Sequence, residues 1–234
     1  MDLSRVSTVL FDLGNTIHHL DHRFIAEVIS THGVPVGGEQ VAVAEYRAKA
    51  EVDAQLRARR SGSDSTRQRS YFETIMAALD VPAAQVEPIR VALHEANARD
   101  CLWRVLHDDT PAVLSALRAR GYTLGIVSNA DGRVLAALAA SGIAEHFAAV
   151  VDSHVVGVEK PDPRIFALAL EACGAAAEAA LFVGDIYEID IAGARNAGLT
   201  PVLIDPLGLY GEVDCLRIDR LGRLLELLPP SAAR

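Results

Sequence analysis

The chain has 234 residues, half of them hydrophobic, and a formal net charge of −9. That is enough apolar material for a substantial core, in one large domain or one domain with an insertion. The acidic balance argues against nucleic-acid and anionic-membrane partners while leaving room for a local phosphate pocket. No apolar run has the length of a membrane span, and "MDLSRVS" lacks the regions of a signal peptide, so a soluble, cytoplasmic chain is expected.

The first apolar run, "STVLF" (7–11), is short and β-branched and reads as a buried strand. It ends in "DLGNT", which places Asp12 at the strand tip, with Gly14 and Thr16 just beyond. "HHLDH" (18–22) follows, and then a long stretch of helical patterning. "RFIAEVISTHG", "GEQVAVAEYRAKAEVDAQLRARR", "STRQRSYFETIMAALD" and "AAQVEPIRVALHEANARD" each repeat apolar residues at three-to-four spacing. "RRSGSDS" (59–65) is a polar break between two of them.

Strands return with "TLGIVS" (123–128), "FAAVVD" (147–152), "AALFVG" (179–184) and "TPVLID" (200–205). Between them lie "TPAVLSALRARG", with Thr110 as expected N-cap and Pro111 at the first helical position, then "DGRVLAALAASG" and "DPRIFALALEACG". Alternation of strand and helix predicts βαβ units, a parallel sheet and an α/β fold. A helical block spliced between the first two strands predicts an inserted domain, residues 18–105, in a core built from 1–17 and 106–234. The terminal "PPSAAR" reads as frayed.

Ligands of parallel sheets bind beyond the carboxyl ends of the strands. Four groups of residues fall there: Asp12 to Thr16, Ser128 with Asn129, Lys160 in "VEKPDP", and Asp185 with Asp190 in "GDIYEID". Asp12 and Asp185 offer hard oxygens suited to Mg²⁺. Ser128, Asn129 and Lys160 offer donors and one positive charge, suited to a phosphoryl group. A carboxylate can also act as a nucleophile and form an aspartyl-phosphate. Lys160 is one of just two lysines, with Lys49, among 22 basic residues. The three cysteines, Cys101, Cys173 and Cys215, match no metal spacing and read as buried, inert thiols.

In their order and spacing "DLGNT", "SN", "KP" and "GDIYEID" resemble the four motifs of the haloacid dehalogenase (HAD) superfamily. The resemblance implies a three-layer, Rossmann-like core with a parallel central sheet, and it makes the inserted helices look like a C1-type cap. It implies a Mg²⁺-dependent phosphohydrolase acting on a small phosphorylated metabolite. Asp12 would be nucleophile and metal ligand, Gly14 would lend its backbone carbonyl to the metal, and Asp185 would be a direct ligand. Asp190 would act from the outer sphere. Thr16, Ser128, Asn129 and Lys160 would hold the phosphoryl group, with Lys160 also pairing with Asp12. The intact acidic pair Asp185 and Asp190 points away from the metal-free dehalogenase branch.

Gly14 departs from the pattern, since most phosphatases of this superfamily have a second Asp there, as proton donor and then base. Its loss removes roughly a hundred- to ten-thousand-fold of rate, about 3–5 kcal/mol of barrier reduction. Three ways round this are open. The substrate could carry an activated leaving group that needs no proton. His18 or His19, where the chain leaves the core, could substitute as acid, against the plainer expectation of a solvated hinge. Or the protein could be a phosphate-binding module without turnover. A lesser alternative is a C–P hydrolase, similar to the phosphonoacetaldehyde hydrolases, with Lys49 as Schiff base, although a solvated lysine is the ordinary reading of "YRAKAEVDAQLRARR".

Overall fold

The computed structural model describes residues 3–58 and 64–230, with the side chains of 64–70 excepted. In chain order, β1 (Thr8–Phe11) is followed by the short β2 (His19–Leu20). Four helices come next: α1 (His22–Thr31), α2 (Gly38–Arg57), α3 (Asp64–Ala78) and α4 (Ala83–Arg99). The chain continues through β3 (Trp103–Val105), α5 (Thr110–Ala119), β4 (Thr123–Ser128) and α6 (Val134–Ala140). Then come β5 (Ala149–Asp152), α7 (Ser153–Val156), α8 (Pro163–Cys173) and β6 (Ala180–Gly184). The last elements are α9 (Ala192–Asn196), β7 (Thr200–Ile204), β8 (Leu216–Ile218) and α10 (Leu224–Leu227).

Two compact units result, Met1–His19 with Arg104–Arg234, and Leu20–Trp103. The crossings fall slightly inside the predicted limits of 18 and 105, at the paired strands β2 and β3.

The first unit is a six-stranded sheet in the order β5-β4-β1-β6-β7-β8, with parallel pairing throughout. Alternation along the strands splits its core into two layers. Val9, Phe11, Ile126 and Val183 pack against α5, α6 and α10 through Leu114, Leu117, Leu138 and Leu224. Leu10, Val127 and Phe182 pack on the other face against α8 and α9 through Ile165, Phe166, Ala169 and Ala194. The sixth strand, β8, has three residues, too few for a period to show in the sequence.

The second unit is helical, with Leu20, Ile25, Ile29, Val41, Ile75 and Ile89 at its centre. Most of the predicted polar break at 59–65 lies outside the described residues, as does "SAAR" of the terminal stretch.

Local details differ from expectation in two places. Thr110 is the first residue of α5, not its cap; Asp109 takes that position, and no side chain caps the helix there. All three cysteines are half-buried rather than buried. α8, by contrast, starts with Asp162 accepting from the Arg164 N–H and ends at Gly174 with φ of 61°, a left-handed conformation that glycine adopts without strain. No described helix is long and apolar enough to cross a membrane.

Candidate active site

The tips of β1, β4 and β6 lie side by side because β1 sits between the other two. Asp12 follows β1, and its N–H donates to the Val183 carbonyl (2.8 Å), so the residue is held at the strand end. Ser128 closes β4 and is buried. Asp185 follows β6, and its chain bends into a π-helical turn, Tyr187–Ile191. Such turns are rare and recur at functional sites.

Lys160 brings these pieces together. Only 2% of it is exposed, and its Nζ donates to Asp12 Oδ1 at 2.5 Å and to Asp190 Oδ1 at 2.7 Å. The remaining oxygen of Asp190, Oδ2, accepts from the backbone N–H groups of Asp185 and Ile186, each at 3.0 Å. Asp190 therefore fixes the lysine and the Asp185 peptide at once. Gly184 makes this possible: a Cβ there would lie 2.6 Å from Asp190 Oδ2. The glycine before the acid is thus a sequence signal in its own right, one that the motif pattern by itself does not explain.

The Asn129 side chain clamps the lysine's backbone. Its Oδ1 accepts from the Lys160 N–H at 2.7 Å and its Nδ2 donates to the Lys160 carbonyl at 3.0 Å. The side chain expected on a phosphoryl group is thus engaged in positioning the lysine. Thr16 is buried, and its Oγ1 has no hydrogen-bond partner among the described residues.

Electrostatics follow from this geometry. Carboxylate oxygens of Asp12, Asp185 and Asp190 lie within 4.8 Å of one another, and all three residues are buried. Burial pushes the Asp12 carboxyl up to about 7, against the pull of Lys160, with Asp190 and Asp185 adding to the rise. Burial also disfavours the Lys160 ammonium, but Asp12 and Asp190 outweigh it and hold the amine above its ordinary value. Three buried carboxylates against one ammonium leave an excess of negative charge. A hard divalent cation fits that deficit and that all-oxygen donor set.

The histidine-rich stretch has other work. His18 is 1% exposed, its Nε2 lies 2.9 Å from Ser141 Oγ, and burial lowers its pKa to about 4. It is neutral at pH 7, and this corrects its candidacy as a replacement acid. The ring of His19 lies flat on that of His107, centroids 3.7 Å apart. In the helical unit, Asp21 caps α1 by accepting from the Phe24 N–H at 3.0 Å, and His22 bonds to Glu45.

Lys49 is also corrected. It is 4% exposed rather than solvated, with its Nζ 4.1 Å above the Tyr46 ring and its charge acting on buried Glu45.

The family model for haloacid dehalogenase-like hydrolases matches residues 6–198. The chain belongs to that family, within the HAD superfamily. It is 38% identical over 122 residues to the human haloacid dehalogenase-like hydrolase domain-containing protein 3, covering 52% of this chain and 48% of that one. A glyceraldehyde 3-phosphate phosphatase of Pyrococcus abyssi is 30% identical over 206 residues, 84% of this chain and 80% of the relative. Among solved structures, the magnesium-bound HAD hydrolase YfnB of Bacillus subtilis superposes with a TM-score of 0.68 at 22% identity, over 96% of this chain and 99% of that one. The chain spans about half the length of the first of these relatives.

Proposed function

We propose that this hydrolase is a Mg²⁺-dependent phosphohydrolase of small phosphorylated metabolites, restricted by Gly14 to substrates with activated leaving groups. One observation carries the reading: a buried Asp12 bonded to a buried Lys160, in reach of two further carboxylates. The likeness to a glyceraldehyde 3-phosphate phosphatase supports a small phosphorylated metabolite as substrate, while the restriction to activated leaving groups rests on Gly14 alone, since glyceraldehyde 3-phosphate is itself an alkyl ester. The magnesium named for the Bacillus structure supports the metal.

Asp12, Asp185 and the Gly14 carbonyl would hold the metal, with Asp190 behind them. Bound there, Mg²⁺ would neutralise charge on the transferring phosphoryl group. Lys160 fixes the Asp12 carboxylate through Oδ1 and supplies positive charge beside it. Asp12 attacks phosphorus, the leaving group departs with the bonding electron pair, and water then hydrolyses the aspartyl-phosphate. An acyl phosphate releases a carboxylate, which needs no proton, whereas a sugar phosphate releases an alkoxide, which does. The titratable groups acting on Asp12 are Lys160, which bonds to it, Asp190, which bonds to the same lysine, and Asp185. The helical unit would serve as the cap that selects the substrate. Lys49 is buried in the helical unit over the Tyr46 ring, with buried Glu45 one turn before it on the same helix.

The test is phosphate release with Mg²⁺ from acyl, aryl and sugar phosphates. Wild type should cleave the first two, Asp12→Asn should abolish this, and Gly14→Asp should add the sugar phosphate. Gly14 is not among the residues with positive φ, so an aspartate there meets no left-handed backbone. Wild-type silence on all three substrates, with activity awakened in Gly14→Asp, would favour a phosphate-binding module.

A further inference from the structure

The acidic turn is tied down from outside by the segment between β7 and β8. Asp205, buried at the end of β7, accepts from the Leu209 N–H through Oδ1 (3.0 Å) and from the Tyr210 N–H through Oδ2 (3.2 Å). This sets the backbone of Tyr210. Its hydroxyl then donates to the Asp185 carbonyl at 3.0 Å.

Since the Asp185 N–H is held by Asp190, both polar atoms of that peptide residue are engaged, one from each side. A second tie lies further out. Asp214 accepts from Tyr187 Oη, and Arg195 Nη2 in α9 donates to Asp214 Oδ1 at 2.9 Å. That cluster is exposed, and exposed pairs contribute little. The half-buried Tyr210 bond is the stronger restraint.

The geometry points to Tyr210 as a positioning residue for Asp185, with residues 205–215 acting as a strap across the acidic turn. This rests on the reading of Asp185 as a metal ligand. Asp185 stands on a bend, outside the regular hydrogen bonding of β6, so its peptide plane sets where the carboxylate points. Metal-binding carboxylates depend on such supporting bonds, because a site loosened by a fraction of an ångström loses affinity. Nothing in the acidic motif itself identifies Tyr210, which lies 25 positions downstream of Asp185.

The experiment is Mn²⁺ binding to the full chain, followed by the resonance of free Mn²⁺ and by competition with Mg²⁺. It compares wild type, Tyr210→Phe, Asp205→Asn and Asp185→Asn, with metal-free melting curves for each. Losing one hydrogen bond should weaken Mn²⁺ binding by Tyr210→Phe roughly three- to tenfold, with the metal-free melting temperature near that of wild type. Asp205→Asn should shift binding in the same direction, and Asp185→Asn should abolish it. Wild-type affinity in both Tyr210→Phe and Asp205→Asn overturns the strap, as does a fall in melting temperature with no change in affinity. Equal affinity in wild type and Asp185→Asn overturns the metal reading itself, and the strap with it.

Discussion

Replacing Lys160 by methionine keeps most of the volume and removes the charge. In the structure its Nζ touches Asp12 Oδ1 at 2.5 Å and Asp190 Oδ1 at 2.7 Å, in a side chain that is 2% exposed. The variant leaves the two carboxylates facing each other, with Asp185 beside them and no cation between. Removing one partner of a buried ion pair costs about 3–5 kcal/mol. Against a total of roughly 5–15 kcal/mol, the protein should still fold, with a clear loss of stability.

The loss has a signature beyond its size. Asp12 sits near 7 with the lysine present, and without it the carboxyl rises further, so acid should relieve the repulsion. Urea unfolding of metal-free wild type and Lys160→Met, at pH 8 and at pH 5.5, should show a gap that narrows at the lower pH. Adding Asp190→Asn should recover part of the loss at pH 8, because one of the opposed charges is gone while an acceptor for the backbone N–H groups remains. A gap under about 1 kcal/mol at pH 8, the value of an exposed pair, would refute this account of the site.

His18 predicts a second pH effect. Its pKa falls from the ordinary 6.5 to about 4 on folding, so the unfolded chain takes up the proton first. The neutral ring's contribution is fully present above pH 6.5 and is lost as pH falls towards 4, by about 3 kcal/mol in all. Stability of wild type minus that of His18→Gln, followed by urea unfolding across this window, should fall with decreasing pH; a flat difference would remove His18 as the cause. Gly184→Ala should cost about 1–3 kcal/mol by driving a methyl group into Asp190. It should also free the Asp185 and Ile186 N–H groups for faster hydrogen exchange, and unchanged exchange would count against the close approach.

Asp12, Ser128 and Asp185 were legible because each closes or directly follows a short apolar run, and Lys160 because it stands just before the capped start of α8; strand ends of this kind share one edge of a parallel sheet. The HAD resemblance added roles to those positions. Periodicity also revealed the helical insertion, since four amphipathic patterns cannot be strands of one sheet.

Other assignments needed neighbours that no local pattern supplies. Asn129 is a clamp on Lys160 because the chain returns 31 residues later at hydrogen-bond distance. His18 is a buried ring whose Nε2 meets Ser141, 123 positions away, and it is the burial that lowers its pKa. Lys49 looked solvated on a charged helix, but it is 4% exposed, because it lies on the stripe with Val41, Ala44, Ala48 and Val52 that α2 buries in the helical unit. Tyr210 carries no motif at all.

The sequence by itself determined the α/β class, the helical insertion and which residues stand at the strand tips, because strand and helix periods are local and burial follows them. It also determined that position 14 offers no side-chain proton. Tertiary structure alone decided what each polar group does with its hydrogen bonds. A side chain's protonation and partners depend on burial and on atoms distant in sequence, and those are settled only when the strands come into register.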